Sequence, residues 1–201
     1  MVLTLKKGGN IKNKNKNNMQ LKTVMRGGHL NQGLIDLAED IKSQLGDKIT
    51  LVEIGSYMGE SAEIFAQILP NSKIICIDPF LSGYDELDCA SSADFTDVEQ
   101  QFDLRTANYS NIVKTKGFST DFKIKCDAIY IDGRHSYEGV KEDILHWKPY
   151  VKSIISGHDY YLEHTETYRN NPHIQGVIKA VREVLGEPDK TYVDCSWIKK
   201  I

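Results

Sequence analysis

Apolar residues along the chain follow two spacings. Short continuous runs, typical of buried strands, cover residues 49–54, 74–77, 127–131 and 151–155. Apolar side chains at helical spacing occupy residues 34–45, the stretch after Gly55 as far as Leu69, residues 140–147 and residues 174–185. Because short apolar strands alternate with amphipathic helices, we predict a doubly wound α/β fold, in which a mostly parallel sheet carries helices on both faces.

Three residues mark the predicted helix ends. Gly46 and Gly186 stand where a left-handed C-terminal cap is expected, and Pro70 cannot continue the helix before it. Residues 192–201 indicate one or two closing strands. In parallel sheets of this kind ligands bind at the carboxyl ends of strands, so the residues that follow each strand are the first candidates for a site.

Residues 1–30 differ from the rest of the chain in composition. They are rich in lysine, asparagine and glycine, and they offer too little apolar surface to offset the entropy of ordering. We therefore predict a disordered basic tail over residues 1–30 and a single domain over residues 31–201. A basic arm that binds RNA is the alternative, although the segment lacks interleaved aromatic side chains for base stacking.

The net charge and the spacing of the cysteines argue against several classes of partner and metal site. A formal net charge of -3 and a pI near 6.1 provide no global attraction to nucleic acid or to an anionic membrane. The four cysteines lie far apart, without a Cys-x-x-Cys pair or zinc-site spacing, and are expected to be reduced thiols. The sequence shows neither a signal-peptide core nor a membrane-spanning stretch, so we expect a cytoplasmic protein without membrane contacts.

The turn after the first strand combines a carboxylate with glycines. Glu53 lies near the end of the strand, and Gly55 and Gly59 frame the turn into the next helix, where backbone N–H groups can approach a ligand. A dinucleotide-binding G-x-G-x-x-G is missing, and Glu53 would repel a pyrophosphate but attract an ammonium group. The turn favours a nucleoside that carries an amino acid, while a tight turn without a ligand is the alternative.

Asp78 closes the second strand, directly before Pro79. A carboxylate at this point can accept hydrogen bonds from both hydroxyls of an adenosine ribose. The alternative is an aspartate that only stabilises the turn at the proline. Taken with Glu53 and the two glycines, Asp78 makes a far more specific pattern than any of these residues alone.

With this set of residues, the chain from about residue 32 to residue 201 resembles the class I S-adenosylmethionine-dependent methyltransferases. The resemblance implies a seven-stranded Rossmann-like sheet, S-adenosylmethionine as methyl donor, and an adenine contact at Ser119. The implied donor-binding residues are Glu53, Gly55, Ser56, Gly59, Asp78, Pro79, Ser119 and Asp132. A nicotinamide-dependent oxidoreductase, the first rival, would need the missing glycine pattern and a second substrate domain.

Two neighbouring strand ends carry further candidates. Asp132 and His135 follow one strand and could supply a metal ligand and a general base. His158 and Asp159 follow the next strand, where a parallel sheet could bring them to Asp132. A mixed set of aspartate and histidine suits Mg, Mn or Fe. Alternatively, Asp132 caps the helix that begins near Ser136, and His135 is a surface histidine.

Residues 126–160 and 175–181 resemble the metal-dependent small-molecule O-methyltransferases, in particular the macrocin and cephalosporin-hydroxylase-like group and more distantly the catechol type. This resemblance implies that Asp132, His158 and Asp159 bind a divalent cation such as Mg. It also implies that His135 removes the proton of a substrate hydroxyl. The chain departs from that family at His158, where a carboxylate is usual.

Aromatic and polar side chains suggest where a substrate would lie. Residues 81–110 and 161–173 are the expected walls for a small hydroxyl compound, a sugar or a phenol. The candidate side chains are Tyr84, Phe95, Phe102, Tyr160, Tyr161, His164, Tyr168 and His173. Two alternatives stay open, a nucleoside-binding protein of the same fold without catalysis and a methyltransferase that acts on RNA through the tail. A homo-oligomer is also compatible with the sequence.

Overall fold

The computed structural model describes residues 30–85, 88–161 and 172–201. The predicted tail therefore lies outside the described residues, apart from Leu30, where the first helix begins. Two of the candidate substrate-wall residues, His164 and Tyr168, also lie outside them, and the side chain of His173 is not described.

Within the described residues, five α-helices and seven strands alternate along the chain. The helices are α1 (Leu30–Leu45), α2 (Glu60–Ile68), α3 (Phe95–Thr106), α4 (Tyr137–Trp147) and α5 (Pro172–Leu185). The strands are β1 (Thr50–Ile54), β2 (Lys73–Asp78), β3 (Ile112–Lys116), β4 (Cys126–Ile131), β5 (Val151–Gly157), β6 (Lys190–Thr191) and β7 (Trp197–Lys200). Short 3-10 helices cover Cys89–Ser92 and Ser119–Asp121.

The strands form one sheet in the order β3-β2-β1-β4-β5-β7-β6. The first five strands in this order, β3, β2, β1, β4 and β5, are parallel to one another. Strand β7 runs antiparallel to both β5 and β6. This arrangement confirms the predicted seven-stranded, mostly parallel sheet. It also brings the carboxyl ends of β1, β2 and β4 next to one another, which is where ligands bind in such sheets.

Helices cover both faces of the sheet, as the alternating pattern predicts. One core cluster joins α1, α2 and α3 to the sheet, and the other joins α4 and α5 to the opposite face. On β1, Leu51 belongs to the first cluster and Val52 to the second, because successive side chains of a strand point to opposite faces. The strands are buried on both sides, which explains their continuous apolar runs.

Two elements were not predicted from the sequence, the helix α3 and the strand β3. Helix α3 is mostly polar and buries only one narrow side, through Phe95, Val98, Phe102 and Arg105. Strand β3 lies at the edge of the sheet and is only partly buried, with lysines among its five residues. Exposed elements of this kind carry a weak hydrophobic periodicity, so tertiary packing decides their conformation.

The predicted helix ends are confirmed at Gly46 and Gly186, which follow α1 and α5 in left-handed conformation with φ of +82° and +78°. The closing segment contains two strands, and the first begins at Lys190, slightly earlier than predicted. None of the helices in the described part of the chain has the length and apolar character needed to cross a membrane.

Candidate active site

A cavity of about 490 Å³ opens at the carboxyl ends of β1, β2 and β4. Its volume lies within the range of roughly 300–1,000 Å³ that is usual for small-molecule sites. Of the predicted donor-binding residues, six lie on its wall: Gly55, Ser56, Asp78, Pro79, Ser119 and Asp132. The fold therefore gathers most of the predicted donor site around one cavity.

Gly55 brings the turn after β1 against the end of β4. Its φ is +81°, its N–H donates to the carbonyl of Ile77 at 2.9 Å, and an added Cβ would lie 2.1 Å from the carbonyl oxygen of Asp132. No side chain fits at this distance. Gly59 is also left-handed, at φ +78°, but it caps α2 and packs beneath the wall against Phe102.

Asp78 holds together the two loops that form one side of the cavity. Its carboxylate accepts hydrogen bonds from the backbone N–H of Tyr57 at 2.9 Å and of Phe80 at 2.7 Å. Asp78 therefore stabilises the turn, as the alternative interpretation expects. The same carboxylate also lies on the cavity wall, where its remaining lone pairs can accept hydrogen bonds from a ligand. Burial raises the pKa of Asp78 despite these hydrogen bonds.

Glu53 lies behind the wall and not on it. Its side chain is 0% exposed, and the groups around its carboxyl are the hydroxyls of Ser56 and Ser61 and the thiol of Cys76. Burial raises the pKa of Glu53. The carboxylate on this part of the wall is that of Glu60, in the first turn of α2, which sequence reasoning missed. The predicted contact of Glu53 with a ligand ammonium group stays a prediction.

His135 lies on the cavity wall among three carboxylates. Its Nδ1 is 3.2 Å from Asp88 Oδ2, and its Nε2 is 3.5 Å from Asp132 Oδ1 and 3.2 Å from Asp159 Oδ2. Burial disfavours the charged imidazole, but hydrogen bonds to Asp132 and Asp88 outweigh that effect and hold the pKa of His135 well above its ordinary value. The side chain is only 22% exposed and lies on the cavity wall, which excludes the surface-histidine alternative.

Asp88 was not found from the sequence, although it contacts His135 directly. Its Oδ2 also accepts a hydrogen bond from the Tyr84 hydroxyl at 2.7 Å, and its Oδ1 accepts from the backbone N–H of Ala90 at 2.9 Å. The hydrogen bond with His135 lowers the pKa of Asp88 to about 2. The only local signal is that Asp88 caps a short 3-10 helix, and capping alone does not indicate catalysis.

The predicted metal ligands meet in space. Asp132, His158 and Asp159 each offer a ligand atom, and these atoms lie within 4.8 Å of one another. Asp159 is a non-glycine residue at φ +61°, an uncommon conformation that is often found at functional sites. Asp132 does not cap α4, because Ser136 does so by accepting from the N–H of Gly139. This donor set fits a divalent cation of the kind predicted.

A second polar group forms a different part of the wall. The Ser119 hydroxyl donates to Asp143 Oδ1 at 2.5 Å and accepts from the Trp147 indole N–H at 3.0 Å. Asp143 is 2% exposed, and burial raises its pKa to about 6. The sequence predicted Ser119 but missed Asp143, which lies in the middle of α4 and shows no motif.

Carboxylates predominate on the cavity wall. They belong to Glu60, Asp78, Asp88, Asp132, Glu142 and Asp143, against the cationic side chains of Arg134 and His135. Such a wall favours a ligand with positive charge, such as a sulfonium or ammonium group, and disfavours a pyrophosphate. The residues present therefore fit S-adenosylmethionine better than a dinucleotide.

Of the described aromatic residues that the sequence assigned to the substrate wall, Tyr161 is half-buried and is not among the residues that line the cavity, and the other four divide into two groups. Tyr84 and Phe95 lie on the cavity wall. Phe102 is buried beneath Gly59, and Tyr160 is buried in the second core cluster with its hydroxyl bonded to Glu187. The last two therefore contribute to the scaffold and not to this cavity.

Comparison with known proteins agrees with this geometry. A family model described as a methyltransferase domain matches residues 52–160. No curated protein matches the chain at a significant level.

Among solved structures, the fold is similar to three methyltransferases. They are a proposed caffeoyl-CoA O-methyltransferase from Staphylococcus aureus (14% identity, 83% of this chain and 81% of that chain covered, TM-score 0.56), the S-adenosylhomocysteine-bound PaMTH1 from Podospora anserina (14%, 83% and 76%, TM-score 0.56) and the N-methyltransferase NodS from Bradyrhizobium japonicum WM9 (13%, 87% and 96%, TM-score 0.53). At such low identity these likenesses show the fold alone. Because the family model spans just over half of the chain and includes the ends of β1, β2 and β4, the protein belongs to the class I S-adenosylmethionine-dependent methyltransferases.

Proposed function

We propose that the protein transfers a methyl group from S-adenosylmethionine to a hydroxyl oxygen of a small molecule, with a divalent cation at the acceptor. The observation that carries this proposal is the position of His135, on the cavity wall and beside the ligand set of Asp132, His158 and Asp159. The fold itself does not select the acceptor atom, since similar structures include O- and N-methyltransferases.

The donor would bind along the wall from β1 to β2. Asp78 is placed to accept hydrogen bonds from ribose hydroxyls, and the wall carboxylates favour the positive sulfonium. Gly55 and Ser56 allow the backbone of the β1 turn to approach the amino-acid part. Methyl transfer is an in-line displacement, so the protein contributes mainly by aligning the acceptor oxygen with the methyl carbon.

His135 is the candidate base. As the oxygen–carbon bond forms and the carbon–sulfur bond breaks, the hydroxyl proton would pass to Nε2, while Asp88 holds Nδ1 and thereby the orientation of the ring. The imidazole must first lose the proton that its carboxylate neighbours stabilise. Neutralisation of the charges of Asp132 and Asp159 would make that deprotonation less costly.

Asp132, His158 and Asp159 would hold the divalent cation. When bound there, a cation such as Mg or Mn supplies Lewis-acid chemistry, which lowers the pKa of a coordinated hydroxyl. Two aspartates with one imidazole suit Mg, Mn or Fe(II), with the imidazole favouring a transition metal.

The test combines donor binding with turnover. S-adenosylhomocysteine is titrated calorimetrically into the wild type and Asp78→Asn, and phenolic and sugar hydroxyl compounds are then screened with S-adenosylmethionine, with and without Mg or Mn. We expect Asp78→Asn to weaken donor binding at least tenfold, and product formation to require both the metal and His135.

His135→Ala is the decisive variant for the chemical step. It should bind S-adenosylhomocysteine as the wild type does, but lose on the order of 100-fold or more in kcat, the usual contribution of a positioned base. Electron paramagnetic resonance of added Mn checks the metal site independently of turnover. We expect the wild type to bind Mn and Asp159→Asn to lose this binding. Wild-type kcat in His135→Ala, or methylation at nitrogen only, would overturn the proposal.

A further inference from the structure

Helix α5 packs directly against the backbone of the segment that carries His135. The contact is made at Gly176, a buried residue of this helix. An added Cβ at Gly176 would lie 2.7 Å from the backbone nitrogen of Tyr137 and 3.0 Å from the carbonyl oxygen of His135. Backbone atoms cannot rotate away as a flexible side chain can, so a larger residue at Gly176 would have to displace the segment.

The side chain of Tyr137 joins the same segment to α5 a second time. Its hydroxyl donates a hydrogen bond to the carboxylate of Glu183, and the ammonium group of Lys179 lies 4.2 Å from the centroid of its ring. Lys141 of α4 donates both to the Tyr137 hydroxyl, at 2.9 Å, and to Glu183, at 2.7 Å. Because Glu183 and Lys179 belong to α5, the helix holds the segment through a side chain as well as through its backbone.

His135 extends from this segment into the cavity. It lies two residues before Tyr137, and Ser136 between them caps α4. Asp88 contacts the ring of His135 on the cavity side, whereas α5 supports the backbone from which the ring extends. A shift of that backbone would therefore move the imidazole relative to a bound acceptor. Misplacement of a reacting group by about 1 Å can cost roughly 100-fold in rate.

We propose that Gly176 is a positioning residue for the proton transfer, because it sets how far the backbone of His135 lies from α5. Gly176 is not among the residues that line the cavity, so it acts through the His135 segment and not through a contact with donor or acceptor. The inference rests on the proposed function, in which His135 is the base.

Gly176→Ala adds the one carbon atom for which the contact leaves no room. Alanine is a better helix former than glycine, so the strain falls on the His135 segment and not on α5 itself. We expect kcat, measured with the hydroxyl compound that the acceptor screen selects, to fall about tenfold to 100-fold, while the dissociation constant of S-adenosylhomocysteine changes less than about threefold.

Gly186→Ala is the matched control. Gly186 follows the last residue of α5 in left-handed conformation, at φ +78°, and an added Cβ there would meet nothing within 4 Å. This variant strains the end of the helix without pressing on the His135 segment, so it should keep the wild-type kcat. An equal loss of kcat in both variants would show that only the stability of α5 matters, and it would overturn the proposal.

A double variant distinguishes positioning of the base from a general structural effect. If Gly176 acts through the imidazole, adding Gly176→Ala to His135→Ala should change the residual kcat less than about twofold, because the two changes remove the same contribution. Losses that multiply in the double variant would contradict the proposal.

NMR of the histidine ring nitrogens in the ligand-free protein tests the position of His135 without turnover. The His135 signals are assigned by their absence from His135→Ala. They should shift in Gly176→Ala and stay unchanged in Gly186→Ala. Tyr137→Phe, which removes only the hydroxyl bonded to Glu183, should shift them as well and serves if Gly176→Ala folds poorly. Unshifted signals in the folded variants would overturn the proposal.

The outcomes separate this inference from the proposed function. If His135→Ala keeps the wild-type kcat, the proposed base is wrong, and the role of Gly176 falls with it. If His135→Ala loses activity while Gly176→Ala keeps the wild-type kcat, α5 does not position the base, and the proposed function stands.

Discussion

At the scale of single residues, three carboxylates surround the His135 imidazole, and two of them, Asp88 and Asp159, are distant from it in sequence. Asp88, Asp132 and Asp159 come from three separate parts of the chain, and each lies within hydrogen-bonding or ion-pairing distance of the imidazole. Their hydrogen bonds, and then their charges, outweigh the burial that would otherwise lower the pKa of His135. These contacts support His135, which the sequence already marked as a candidate base, as the best candidate for moving a proton.

Asp88→Asn should affect the reaction more than donor binding. The amide can still accept from Nδ1, but the loss of charge lowers the pKa of His135, and the ring is held less firmly. We expect kcat to fall about tenfold or more, with the dissociation constant of S-adenosylhomocysteine changed less than about threefold. An NMR titration of His135 should show its pKa lowered.

Asp94→Asn serves as the control for this loop. Asp94 caps α3 by accepting from the N–H of Thr96 at the surface. Its replacement should leave both kcat and the titration of His135 as in the wild type. An unchanged His135 titration in Asp88→Asn would rule out the proposed role of Asp88.

At the scale of elements, the turn between β1 and α2 decides how closely the strand ends approach. Gly55 lies against the backbone of Asp132 at the end of β4, and the N–H of Asp132 donates to Ile54 at 2.8 Å. A larger residue at Gly55 would push apart the β1 turn, which carries candidate donor-binding residues, and the loop that carries Asp132. The glycine is therefore required for two reasons, its left-handed backbone and this contact.

A comparison of Gly46→Ala with Gly55→Ala distinguishes the cost of the left-handed backbone from the cost of the close contact. Gly46 has φ +82°, almost the same as +81° at Gly55, but an added Cβ there would meet nothing within 4 Å. Gly46→Ala should cost about 1–2 kcal/mol of unfolding free energy, the penalty for the left-handed conformation alone. Gly55→Ala should cost at least about 2 kcal/mol more, because of overpacking, and should also weaken S-adenosylhomocysteine binding.

Urea unfolding of both variants measures this difference. Equal losses of stability in Gly46→Ala and Gly55→Ala would show that the contact between the β1 turn and Asp132 contributes nothing beyond the backbone conformation.

At the scale of the whole molecule, a buried carboxyl makes stability depend on pH. Folding raises the pKa of Asp143 from 3.8 to about 6, mainly by desolvation, while Ser119 and the charges of Arg134 and His146 oppose the shift and Glu142 adds to it. The folded state then binds more protons than the unfolded state between these values. The contribution of Asp143 to stability is therefore lost as the pH rises from about 4 to about 6.

Asp143→Asn should remove this dependence. Its amide stays neutral and can still accept from the Ser119 hydroxyl, so it resembles the protonated wild type. Between pH 4 and pH 7 the wild type should lose about 2 kcal/mol more unfolding free energy than the variant, which is most of the effect of a shift of about two pKa units. Urea denaturation of the ligand-free proteins at these pH values checks the difference, and parallel curves would contradict it.

The sequence by itself determined the fold class, most element positions and a large part of the site. Strands buried on both faces have to be apolar throughout, and the residues after them have to meet at one edge, so Gly55, Asp78, Asp132 and Asp159 could be located from local patterns. Helix α3 and strand β3 were missed because their exposed faces carry polar side chains.

Only the tertiary structure decided which side chains act together. Asp88 reaches His135 from a loop between β2 and α3, Asp143 reaches Ser119 from the middle of α4, and Glu53 turns out to lie behind the wall that it was predicted to form. These relations depend on distances in space between residues far apart in the chain, and no local periodicity encodes them. Burial, and with it the pKa of each carboxyl, is likewise a property of the packed molecule and not of the residue type.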